Sequence, residues 1–198
     1  SIFGESVERA CEQKHIGFVS QSPALLPWRT VLENVRLPLE VNRRAGEDRQ
    51  AEHADPRAIL AAFGLSAVLD KRPHQLSGGM QQRVAIARAF AFRPAVLLMD
   101  EPFSSLDELT REVLRDELLD LWEQSGTTIV FVTHSIPEAV LLSDQVVVMA
   151  ALPGRIGDVI DVDLPRPRGD LVELSGEFRE VERHVRLELR RGWRHGAA

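Results

Sequence analysis

The sequence predicts an α/β fold: a largely parallel β-sheet flanked by helices, with a helical block inserted between the first strand and the rest. Three observations carry this. Short apolar, β-rich runs alternate with longer helical stretches. Residues 30–90 contain no convincing strand. Residues 95–99 form an apolar run that ends in two adjacent carboxylates, Asp100 and Glu101, as a buried parallel strand does at its open end.

Taken in order, residues 16–19 form the first strand. Residues 31–41 are apolar at mixed spacing, 43–57 are strongly charged and suit a solvated helix or loop, and 57–63 end at Gly64 like a capped helix. Ser77 is a good N-cap for a helix through residue 92. Strands return at 95–99, 127–132 and 145–149, each expected to be buried on both faces. Between the first two of these, residues 107–124 place Val113, Leu114, Leu118, Leu121 and Trp122 on one helical side, and Gly126 is the stop signal. Ser135-Ile136-Pro137-Glu138 has the pattern of a capping box opening a short helix. Beyond residue 150, Pro153-Gly154 makes a turn, 155–164 reads as edge hairpin strands, and 175–191 is an amphipathic closing helix.

Composition narrows the class. The chain has 198 residues, 44% hydrophobic and 27% charged, which excludes collagen-like, disulfide-stapled and wholly disordered proteins. At about 150 residues per domain it holds one domain, or one and a part. The single cysteine, Cys11, allows no intramolecular disulfide and favours a reducing compartment. No apolar stretch approaches the roughly 20 residues of a membrane span. A net charge of −6 offers little to neutralise phosphates, so nucleic acid is not the expected partner.

Two local patterns carry chemistry. Asp100 and Glu101, at the carboxyl end of a parallel strand, suit Mg²⁺ coordination and proton acceptance from an attacking water, respectively; a solvated acidic pair is the bland alternative. In Leu76-Ser77-Gly78-Gly79-Met80, the two glycines leave the first-turn N–H groups of a helix unobstructed, and such a terminus attracts anions. Each glycine costs roughly 1 kcal/mol of helix stability against alanine, which points to a ligand in close approach.

Together these residues resemble the ABC-transporter ATPase family. Leu76-Ser77-Gly78-Gly79 is similar to the signature motif, 95–101 to the Walker B strand, Ser105-Leu106-Asp107 to the D-loop, His134 to the switch histidine and Gln21 to the Q-loop glutamine. The resemblance implies a P-loop NTPase-like fold with a helical signature subdomain, and ATP and Mg²⁺ as cofactors. It implies that Gln21 and Asp100 attend the metal, that Gln21 also senses the lytic water, that Glu101 is the general base, and that His134 contacts the γ-phosphate and stabilises the transition state. Ser77, Gly78, Gly79 and Asp107 would act in trans, on ATP held by a second ATPase subunit in a head-to-tail dimer. Residues 23–35 and the Leu164-Pro165-Arg166-Pro167-Arg168 segment are similar to importers of the nitrate, sulfonate and taurine group. That implies a permease partner contacted through Leu25, Leu26 and Trp28, a solute-binding protein acting indirectly, and a position on the cytoplasmic face of the membrane. The implied organisation is a core-lobe remnant at 1–21, a helical subdomain at 22–92, a core lobe at 93–164 and a C-terminal helix and tail at 165–198.

One departure stands out. No G-x-x-x-x-G-K-[ST] occurs in these residues, and only 20 precede Gln21. The expectation is a chain that continues a longer parent, lacks the first part of the fold, leaves an unpaired sheet edge and hydrolyses no ATP alone. The alternatives are a degenerate subunit that retains only the trans-acting signature, and an ATPase of nucleic-acid maintenance. The latter class carries coiled coils or zinc modules between Q-loop and signature, where this chain has about 55 residues without heptads or a Cys/His cluster.

Overall fold

The computed structural model describes residues 1–41, 54–150 and 154–195. They form two compact units, Ser1–Val132 and Thr133–Ala198. Most of the charged 43–57 segment lies outside the described residues.

The first unit is organised on three parallel strands, β1 (Ile16–Val19), β2 (Val96–Asp100) and β3 (Thr128–Val132), in the order β1-β2-β3. Ile16 stands opposite Val96, and Val96 opposite Thr128. The connection from β1 to β2 is helical, as expected. After α1 (Val7–Glu12), which precedes β1 and was not anticipated, come α2 (Val31–Glu40), α3 (Pro56–Ala62) and α4 (Gly78–Phe90). Thr30 and Glu33 close a reciprocal capping box on α2, Asp55 caps α3, and Ser77 caps α4. α5 (Glu108–Ser125) carries the chain from β2 to β3; Asp107 caps it and Gly126, at φ 65°, ends it in the left-handed region.

The core lies where α4 meets the sheet. Val84, Ile86, Ala87, Phe90, Val19, Leu97 and Met99 are all buried. The expectation that the strands are buried on both faces does not hold for the described residues. Phe18 is 60% exposed, and Leu98 and Val130, at 36% and 51%, share its face. Side chains of a strand alternate between faces, so covering one face buries only every second residue of an apolar run. Among the described residues β3 pairs on one side only, with β2.

In the second unit, α6 (Ile136–Leu142) leads to β4 (Gln145–Ala150) and β5 (Arg155–Asp161), followed by α7 (Asp170–Glu173) and α8 (Gly176–His195). Here β4 is not a member of the parallel sheet. It pairs antiparallel with β5, with a bulge between Val148 and Met149. Val146, Val148 and Ala150 of β4 and Ile160 of β5 are buried, and α8 packs on both strands with Phe178 and Val185.

The expected capping box of α6 also takes another form. Ser135 makes no side-chain cap bond. The Thr133 hydroxyl instead accepts from the Ser135 N–H at 3.0 Å and donates to Glu138 at 2.6 Å. The guanidinium of buried Arg168 holds the unit together: it donates to the carbonyls of Val140, Leu141 and Ser143 on one side and of Val162 and Leu164 on the other. Burial pulls its pKa below the ordinary arginine value, with Arg166 adding to the effect.

Candidate functional site

β2 delivers Asp100 to its carboxyl end, exposed, and the next residue leaves the strand by an unusual path. Glu101 has φ 43°, in the left-handed region that β-carbon sterics disfavour. Its N–H donates to Val132 at 2.9 Å, so the sheet ladder itself holds the turned backbone in place. Strain of order 1–3 kcal/mol persists only where neighbours over-determine it, and it concentrates at sites that must aim a group.

Ser104 ties this turn to the Q-loop position. Its hydroxyl donates to the Glu101 carbonyl at 3.0 Å and accepts from Gln21 Nε2 at 3.1 Å. Gln21 and Glu101 are therefore brought together across 80 residues of sequence, through a serine that the motif reading passed over. Its position three residues after Glu101, at the closing corner of a turn, was the available signal. With the Gln21 amide nitrogen donating to Ser104, the other polar atom of that amide is an acceptor oxygen. Asp100 and that oxygen are hard donors of the kind Mg²⁺ takes beside substrate phosphates, so the residues fit this cation.

The second group lies at the neighbouring helix starts. Ser77 accepts from the Met80 N–H at 3.3 Å. Asp107 accepts from both the backbone N–H of Thr110, at 3.0 Å, and its hydroxyl, at 2.7 Å. These two bonds hold the Asp107 carboxyl below the ordinary aspartate value, backbone contribution first. Thr110 in turn presses its methyl toward Gly79: a β-carbon there would lie 2.6 Å from Thr110 Cγ2.

The two glycines thus differ. Gly79 is in close contact with α5, whereas Gly78 faces open space. An open groove of about 280 Å³ runs between the helices, lined by Ser77, Gly79, Met80 and Arg83 of α4 and its cap, and by Thr110 and Val113 of α5. Arg83 bridges to Glu117 at 2.9 Å beneath it. Burial raises the Glu117 pKa above the ordinary glutamate value, and Arg83 opposes the shift.

The third group is the loop before α2. Asn34, fully buried, accepts from the Leu26 N–H at 2.8 Å and donates to the carbonyls of Leu26, Arg29 and Thr30. Arg88 of α4 grips the same loop through the carbonyls of Pro23 and Ala24. The loop so held presents Trp28, 67% exposed, while Leu25 and Leu26 are half-buried. His134 lies in the second unit, exposed, in the turn that Thr133 organises before α6.

Residues 2–104 match the family model described as ABC transporter. The chain belongs to the ABC transporter family. The chain is 47% identical over 169 residues to a putative ATP-binding protein of Brucella abortus, an alignment that covers 85% of this chain and 64% of the relative. It is 41% identical over 191 residues to the aliphatic sulfonates import ATP-binding protein of Bacillus cereus, covering 96% and 72%. Among solved structures it is similar to the ATP-binding cassette MJ0796, described as a dimer in a post-hydrolysis state bound to ADP and Pi. That match has a TM-score of 0.64 at 33% identity, over 82% of this chain and 70% of the other. The chain thus spans a little under two thirds of the Brucella relative, and its α/β architecture is that of the ABC ATPases. Among the described residues no helix is long and apolar enough to cross a membrane.

Proposed function

We propose that this chain carries the greater part of the ATP-binding subunit of an ABC importer, one that couples ATP hydrolysis to uptake of a small anion or an organosulfur or nitrogen solute. The observation that carries the proposal is the Gln21–Ser104–Glu101 chain of hydrogen bonds at the end of β2. It joins the Q-loop glutamine to the Walker B glutamate in a family whose members have such residues in this order. The sulfonate import relative supports the solute class.

In this reading Asp100 and Gln21 would hold Mg²⁺, which would neutralise charge on the phosphates. Glu101, aimed by its left-handed turn and the Ser104 bond, accepts the proton of the attacking water. His134 donates a hydrogen bond to the γ-phosphate. Ser77, Gly78, Gly79 and Asp107 serve the nucleotide of a second subunit. Gly78, with open space beside it and first-turn N–H groups behind it, is the glycine a phosphate approaches. Gly79 sets the distance between signature and D-loop. Trp28, Leu25 and Leu26 form the permease contact, kept rigid by Asn34 and Arg88. Residues 22–92 act as the helical subdomain, and the subunit works at the cytoplasmic face of the membrane by way of that permease.

The test is phosphate release from a chimaera in which the amino-terminal segment of the Bacillus cereus relative is fused ahead of Ser1. Loss of a general base costs about 10²–10⁴-fold. Glu101→Gln is expected to lower turnover by at least 10²-fold while nucleotide binding persists. Turnover that survives this substitution overturns the assignment.

A further inference from the structure

Asp158 of β5 and His184 and Glu188 of α8 bring one ligand atom each to within 4.8 Å of one another. We propose that these three residues form a binding site for a first-row divalent metal of the Zn²⁺ class, one that staples β5 to α8. His184 and Glu188 are four residues apart and so project from one helical face. Asp158 shares the strand face of Ile160, the buried residue under α8, so the register of β5 aims it at the helix. The approach of the two layers is fixed close by: a β-carbon at Gly192 would lie 3.1 Å from Ala150 Cβ of β4.

The local chemistry favours a cation over a simple polar contact. His184 Nε2 and Asp158 Oδ2 are 3.8 Å apart, too far for a hydrogen bond. With metal–ligand distances of about 2.0–2.2 Å, two ligands of a tetrahedral ion stand about 3.4 Å apart, so closure from 3.8 and 4.8 Å needs only side-chain rotation. Glu188 sits in the half-buried stripe of α8 with its side chain 16% exposed, and Arg191 pairs with its Oε1 from the surface at 2.6 Å. The Asp158 Oδ1 atom already accepts from the Val159 N–H at 2.9 Å, which orients the carboxylate and leaves Oδ2 toward His184. One imidazole nitrogen with two carboxylate oxygens is a donor set for Zn²⁺ and its neighbours, with an open fourth position for water; Mg²⁺ and Ca²⁺ prefer oxygen alone.

Isothermal titration of the 198-residue chain with ZnCl₂ tests this, with circular dichroism to verify that each variant is folded. One equivalent is expected to bind, and His184→Ala and Asp158→Asn are each expected to weaken it at least tenfold. The exposed pair with Arg191 competes for Glu188, so Arg191→Ala is expected to tighten binding by up to about fivefold. His74→Ala, at an exposed histidine of the other unit, is expected to change nothing. Co²⁺ is expected to take the same site and to show a coordination spectrum that vanishes in His184→Ala. Absence of stoichiometric binding, or binding that survives His184→Ala and Asp158→Asn, overturns the proposal.

Discussion

Replacing Gly79 by alanine puts a methyl group 2.6 Å from Thr110 Cγ2, where an ordinary contact lies beyond 3.4 Å. One side must yield by about 1 Å. Thr110 cannot turn away cheaply, because its hydroxyl and backbone N–H are both held by Asp107. Overpacking of this kind costs about 1–3 kcal/mol. Alanine returns up to about 1 kcal/mol of helix propensity, so the single variant should lose about 0–3 kcal/mol. Thr110→Ser removes the offending methyl and keeps the hydroxyl for Asp107. In that background Gly79→Ala should be neutral or stabilising by up to about 1 kcal/mol. Urea unfolding of the four proteins of this cycle reads the coupling directly, provided the slopes agree, and the expected value is about 1–3 kcal/mol. A coupling below about 0.5 kcal/mol, with Gly79→Ala equally costly in both backgrounds, would refute the view that Gly79 exists to admit Thr110.

Arg168→Ala strips five carbonyls of their donor in a buried site and is expected to destabilise the second unit by about 3 kcal/mol, seen as rapid proteolysis of residues 133–195. Arg168→Lys should fail as well, because a point ammonium cannot span both sets of carbonyls; wild-type resistance in that variant would count against the clamp. The Asp107 carboxyl is depressed in the folded state, so its contribution is complete above the unfolded value near 3.8 and is lost as pH falls through the lower folded value. Hydrogen-exchange protection of the Thr110 amide should therefore drop as pH falls below about 3.8, and Asp107→Asn should flatten that dependence. Unchanged protection in the wild type at the acid end would remove the assigned cause of the shift.

Local signals located the elements well. β1 begins and ends where its apolar run does, Ser77 caps the helix expected of it, and Gly126 closes α5. Each of these depends on residues within one turn of one another. Ser135 shows the limit of such signals: the capping pattern is present, but Thr133 competes for Glu138 and for the same N–H. The site was legible in part. Gln21, Glu101 and Asp107 stand in recognisable patterns, whereas Ser104, Thr110, Asn34 and Arg88 act through partners up to 83 residues away, which no local window contains.

The sequence by itself determined the class of fold, the helical block between β1 and β2, and the order of the chemical residues, because periodicity, capping and turn chemistry are short-range. Tertiary structure alone decided the rest. An apolar run states that a strand can be buried, not on how many faces or beside which partner, so β4 went to an antiparallel ribbon and Phe18 to an exposed face. A glycine states that space is short or φ unusual, not what fills the space. That Gly79 meets Thr110 while Gly78 meets nothing follows only from two helices packed against each other.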